Sequence, residues 1–311
     1  MTSGVVYAPV LKGKNGEFEA LSNLDDATKM ALLPLIDIPT LDPQRRSGRE
    51  GDTWTTYLSR KAKSIVGTWG AGLPIMVDFF DADPDASERG KLPLELFFDI
   101  VRPVADNFLP VTGLDRNEAH HHAVAALVRQ GIPGICVRLL RNDLRDRSDV
   151  NKALPMLMSK VGASTRASRL VIDLREVADG SVETTAEAVA WTCDGLPSSE
   201  DWLSVSIVGG RMPESLSSEI PTGSDRELAR AEFRVWKEIR ARAPRRVPLF
   251  GDYGVVHPKG LYIDKDDRIN AAPTIKYTHG EYWTVLRGVS SKKDASGMGQ
   301  FRGSPDVFVD G

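Results

Sequence analysis

A short, β-rich and almost continuously apolar run, bounded by Gly, Pro or Asp, returns roughly every thirty residues along most of this chain, with helix-like sequence in between. Eight such runs occupy residues 5–10, 32–38, 74–80, 108–112, 134–139, 170–174, 203–208 and 247–253. None alternates apolar with polar residues, so each reads as a parallel strand covered on both faces. The intervening segments 18–24, 55–68, 93–105, 117–130, 150–161, 181–193 and 226–242 read as helices. Asn117 precedes an acidic first turn, Asp149 can cap the segment after it, and Pro93 suits a first helical position. Strict alternation of strand and helix implies right-handed parallel crossovers.

Eight units in about 250 residues is the count of a closed barrel, whereas doubly wound sheets more often have five or six strands and a glycine-rich first turn. The first turn here is Lys-rich and lacks G-x-G-x-x-G. The expected fold is therefore α/β, a single (β/α)8 TIM-like barrel over residues 1–260, with an open α/β sheet as the alternative. After Tyr253 the pattern changes. A short strand is expected over 261–267, and paired strands over 274–277 and 282–287 around His279-Gly280. Together they predict a C-terminal β-hairpin appendage, residues 261–289, packed on the barrel. Residues 290–311, rich in Gly, Ser, Lys and Asp, read as a loosely held tail.

With 41% hydrophobic and 27% charged residues, the chain has the material for an ordinary core. Its 40 basic and 43 acidic residues leave a net charge of -3, so no general field draws it to nucleic acid or an anionic membrane. The basic cluster at 240–246 is explained by a helix C-terminus, and the six Trp residues are scattered rather than interleaved with basic ones. Cys136 and Cys193 read as reduced core thiols. No leader pattern opens the chain and no apolar run reaches membrane-span length, which gives a cytoplasmic expectation.

In a (β/α)8 barrel the functional groups lie at the C-terminal ends of the strands, where the βα loops converge. Ionisable residues occur at every such end, and those set in apolar surroundings are the most telling: Asp37, Asp78, Arg138 and Asp173. A buried charge must be paired or face a polar pocket. The plain reading is a set of structural Asp–Arg pairs across the mouth, and the functional one is a ligand or catalytic pocket. On the functional reading Asp37, Asp78, Asp173 and Asp252 do acid–base work or hold a hard divalent cation such as Mg2+. Lys12, Arg138, Arg211, Lys276 and Arg287 would then suit a phosphate or carboxylate.

His120-His121-His122 cannot chelate one ion, because three consecutive helical residues point three ways, and the run reads as a solvated face or cap. Gly209-Gly210-Arg211 after the seventh run is either a phosphate-binding turn or an ordinary tight one. No P-loop, nucleophile-elbow or zincin motif is present.

The opening Tyr7-x-Pro9-x-Leu11-Lys12-x-Lys14-x-Gly16-Glu17, the run Pro34-Leu35-Ile36-Asp37-Ile38-Pro39, and the late Lys276-Tyr277-Thr278 and Arg287-Gly288 resemble the "beta protein" family of phages and bacterial genomic islands. The resemblance extends to about Gly288. It implies a setting in phage or mobile-element biology rather than a particular reaction. Members often carry a further ordered segment after the Arg-Gly motif, where this chain has a divergent tail. The resemblance singles out Lys12, Lys14, Glu17, Asp37, Tyr277 and Arg287 as site residues. Two functions follow as expectations: an enzyme acting on an anionic, phosphate-bearing small molecule, or a non-catalytic module binding a ligand or partner protein in phage–host conflict.

Overall fold

The computed structural model describes residues 4–42, 48–145, 147–196, 201–260, 272–290 and 296–301. Strands and helices alternate as β1 (Val10–Leu11), α1 (Asn15–Ser22), α2 (Asp26–Met30), β2 (Leu35–Asp37), α3 (Trp54–Trp69), β3 (Ile75–Asp78), α4 (Pro93–Val101), β4 (Phe108–Thr112) and α5 (Glu118–Arg129). They continue as β5 (Cys136–Leu140), α6 (Arg147–Val161), β6 (Arg169–Glu176), α7 (Val182–Gly195), β7 (Ser204–Gly210), β8 (Ser224–Ala229), α8 (Ala231–Ala241) and β9 (Leu249–Asp252). Seven strands in chain order and then β9 form one parallel sheet. A parallel bridge between Tyr7 and Phe250 joins its two ends, and Ala8 N–H donates to Phe250 O at 2.9 Å. The sheet is thus a closed (β/α)8 barrel.

Side chains alternate sides along each strand. One set faces the helices, where Ile36, Val77, Val137 and Ile172 join the large outer core. The other fills the barrel with Val10, Leu35, Met76, Cys136, Val171 and Val208 among others. The registers Val10↔Leu35, Leu35↔Met76 and Val208↔Gly251 keep the interior positions level. Where first and last strands meet, a Cβ at Gly251 would lie 2.2 Å from Ala8 O, so only glycine lets the backbones close. Cys136 and Cys193 are buried free thiols.

The segment expected to be one helix over 226–242 divides in two. β8 leaves the barrel as an excursion between β7 and α8, and β11 (Tyr282–Arg287) pairs with it and with β10 (Thr274–His279) in a three-stranded antiparallel sheet. The hairpin therefore has a third strand, supplied from within the barrel sequence. Its core is Met212, Ile220, Leu228, Trp283 and Val285. The strand expected over 261–267 lies outside the described residues, as does most of the expected tail. Among the described residues no helix is long and apolar enough to cross a membrane.

Candidate functional site

Two residues above the interior positions of six strands, alternation places a charged or polar side chain towards the barrel axis at the C-terminal face. Val10 leads to Lys12, Leu35 to Asp37, Met76 to Asp78, Cys136 to Arg138, Val171 to Asp173 and Gly251 to Tyr253. This layer is sealed: Lys12 is 2% exposed, and Asp37, Asp78, Arg138 and Asp173 are fully buried.

Arg138 is the hub. Nη1 donates to Asp37 Oδ1 and Asp78 Oδ2, both at 2.7 Å. Nε and Nη2 donate to Asp173 Oδ2 at 2.9 and 2.7 Å, and Nη2 also to Tyr253 Oη at 2.8 Å. All five guanidinium N–H groups are thus engaged, which a fixed planar fork achieves and an ammonium could not. Lys12 Nζ takes the other Asp37 oxygen at 2.7 Å. Burial would raise the Asp37 carboxyl, but the charges of Arg138 and Lys12 outweigh it and hold the group well below the usual carboxylate range. The Tyr253 hydroxyl, pushed well up by burial and then by Asp173, keeps its proton and donates to Asp173 Oδ2 at 2.6 Å. Three of the four carboxylates expected to bind Mg2+, Asp37, Asp78 and Asp173, therefore surround a guanidinium. Among the described residues no group of three or more His, Cys, Asp or Glu is arranged to hold a metal ion.

A half-buried rim lies above this layer. Arg116 Nη2 contacts both Asp78 oxygens at 3.0 and 3.1 Å. Arg175 follows Asp173 where the register of β6 shifts, and its φ of 55° is a left-handed conformation that a β-substituted residue adopts at a cost. That kink lets its N–H cap Asp173 Oδ1 at 2.8 Å and swings its guanidinium over the mouth, 3.1 Å from Tyr253 Oη. Among the described residues this is the only hydrogen bond the Arg175 guanidinium makes. Phe80 is the centre of the rim, with the guanidinium carbons of Arg138, Arg175 and Arg116 at 4.6, 4.7 and 4.9 Å from its ring centroid.

Beside the mouth, Gly13 has φ 59°, which turns the chain between Lys12 and the start of α1. Glu17 accepts the Lys12 and Lys14 backbone N–H groups at 3.0 and 2.9 Å. Burial, against those two hydrogen bonds, still raises its carboxyl, and burial lowers the Lys14 ammonium. Lys61, missed in the sequence, donates to Gly13 O at 2.6 Å, and burial brings it down to about 8.

Of the residues expected at the site, Lys12, Asp37, Asp78, Arg138 and Asp173 come together, with Lys14 and Glu17 adjoining. The others do not. Asp252 shares the strand face of Phe250, towards α8, where it accepts from Tyr7 Oη and, at 3.0 Å, from Arg230 Nη2. Arg211 is taken by Asp179 and Glu219 at 3.0 Å. Gly209-Gly210 belongs to β7 rather than a turn. Lys276, Tyr277 and Arg287 lie on the three-stranded sheet. Lys276, which burial lowers to about 8, donates to Val255 O at 2.7 Å, and Arg287 donates to Ile220 O at 2.6 Å. The His run is not a solvated face, because only His122 is exposed, while His121 Nε2 and His120 Nε2 bind Gly113 O and Val111 O at 3.0 and 3.1 Å. Sequence reasoning found ionisable residues at every strand end but did not single out Arg116, Arg175 or Tyr253, and it missed Phe80, whose role depends on the three arginines that meet it.

The model of the family described as Beta protein matches residues 7–306. No curated protein matches the chain. Among solved structures, triosephosphate isomerase from Bartonella henselae is 13% identical, with 79% of this chain and 90% of that one covered at a TM-score of 0.38.

Proposed function

Since this chain belongs to the Beta protein family, whose model spans residues 7–306, we propose that its barrel mouth binds a small molecule bearing a phosphate or carboxylate, in the phage or mobile-element setting that the family implies. The observation that carries this reading is Arg175: a guanidinium on a strained strand end, held at the mouth by a tyrosine hydroxyl and two aromatic rings. Such a group retains N–H donors in the geometry that a bidentate anion needs. The carboxylates beneath are fully buried, so an incoming ligand meets Arg175, Arg116 and Phe80 first. Asp37, Asp78 and Asp173 serve as the counter-charge that fixes Arg138 and Arg116. Proton transfer, where turnover requires it, falls to Glu17 and Lys14, whose burial moves both away from their ordinary values.

The test is native mass spectrometry of protein purified from its own cells, with titration by inorganic phosphate. A retained or saturable anion that is lost in Arg175→Gln, at unchanged melting temperature, is the expected result. Absence of any anion binding in the wild type would overturn the reading. A second reading, docking of a partner protein, draws on the exposed Tyr277 and Tyr282 of the outer sheet and predicts co-purification that Tyr277→Ser abolishes.

A further inference from the structure

Next to the mouth, between the loops that lead into α4 and α5, is a cavity of about 250 Å³. At roughly 30 Å³ per water-sized group it holds on the order of eight, the size of one ring system. Phe79, Pro84, Leu92 and Leu94 contribute apolar wall, and Asp83, Asp115, Arg116, Asn117 and His120 contribute polar groups. Phe80 and Arg116 border both this cavity and the rim that carries Arg175.

Two of these polar residues, His120 and Arg116, offer complementary hydrogen bonding. His120 Nε2 lies 3.1 Å from Val111 O, and a carbonyl only accepts, so Nε2 carries the proton and Nδ1 of the neutral ring is an acceptor. The ring stays neutral because burial, and then the charge of Arg116, push its pKa down to about 4. Arg116 uses Nη2 on Asp78. Its Nε makes no hydrogen bond among the described residues, with Asp115 Oδ1 at 3.6 Å. A slot one ring wide, walled by apolar side chains on one part and bordered by the Arg116 guanidinium and an imidazole acceptor on another, matches a flat heterocycle attached to an anionic group.

We propose that this cavity receives the heteroaromatic ring of a mononucleotide-class ligand whose phosphate lies on Arg175 and Arg116 across Phe80. The assignment rests on the anion-binding reading of the mouth and adds the ring to it. It implies that the ligand's affinity divides between two neighbouring sites that can be disabled separately.

The test titrates the full chain with inorganic phosphate, ribose 5-phosphate and the four ribonucleoside monophosphates, by calorimetry. At least one nucleoside monophosphate is expected to bind about tenfold or more tighter than ribose 5-phosphate. Ala82→Trp, which fills the cavity from a half-buried loop position, should remove that advantage and leave ribose 5-phosphate affinity unchanged. Ala82→Leu serves the same purpose if the tryptophan variant fails to fold. Equal affinity for nucleotides and ribose 5-phosphate, or an advantage that survives in a folded Ala82 variant, overturns the ring assignment while the anion reading stands. If ribose 5-phosphate and phosphate fail to bind but a nucleotide binds and depends on Ala82, the ring pocket is upheld and the anion reading falls. Failure of every probe to bind overturns both.

Discussion

Arg138 shows what one buried cation does when three carboxylates and a tyrosine converge on it. Its interactions are strong because water is excluded, and each of its partners would be costly to leave alone for the same reason. Arg138→Met leaves Asp37, Asp78 and Asp173 facing one another without their common partner, and should cost about 3–5 kcal/mol. Urea melts check this, and a loss under about 1 kcal/mol would show that the carboxylates find other partners. The pH dependence has a definite sign. The Asp37 carboxyl is lowered in the folded chain, so its contribution is fully present above the unfolded value of about 4 and is lost as pH falls below it. Asp37, Asp78, Arg138 and Asp173 were legible in the sequence because a charge inside an apolar run is conspicuous. Asp252 stands in a similar run and was misassigned, since it is one residue out of phase: Gly251 and Tyr253 face the barrel, and Asp252 faces α8.

At the scale of elements, the three-stranded sheet is fastened to the barrel by Arg230, between β8 and α8. Its N–H donates to Glu281 O at 2.7 Å, its Nη1 to Gly280 O at 2.9 Å and its Nη2 to Asp252 at 3.0 Å. Glu232, on the first turn of α8 and 3% exposed, is pushed up to about 8 by burial and then by the charge of Asp252. From about pH 4, the ordinary value of a glutamate, to about 8 the folded chain holds a proton that the unfolded chain has released, so stability falls as pH rises through that window. Glu232→Gln carries no such proton, and its stability relative to wild type should rise over the same window by a few kcal/mol, at about 1.4 kcal/mol per pH unit. Denaturation at pH 5 and 9 decides the matter, and parallel wild-type and variant profiles would refute it. Residues 226–229 gave no strand signal of their own because Arg226 and Glu227 are exposed. What makes them a strand is β11, more than fifty residues later, with Leu228 opposite Trp283.

At the scale of the whole molecule the decisive event is closure, in which the first and last strands meet at Ala8 and Gly251. A side chain at 251 would run into Ala8 O at 2.2 Å and Val208 Cγ1 at 2.5 Å. Gly251→Val should therefore cost about 3 kcal/mol or more and remove hydrogen-exchange protection from the Ala8 amide. Gly72→Ala, in open space, should stay within about 0.5 kcal/mol. A Gly251→Val chain as stable as that control would mean that the strands need not meet there. The sequence alone determined the number and order of the barrel strands and which four charges lie inside the apolar runs, because burial on both faces is written into local composition and period. The tertiary structure alone decided which charges share a layer, that Arg138 is their hub, that Arg175 reaches the mouth and that the late hairpin pairs with β8. These depend on contacts between residues far apart in the chain, such as Arg138 and Asp37 at 101 positions' separation, and no local pattern encodes a partner that only closure brings within reach.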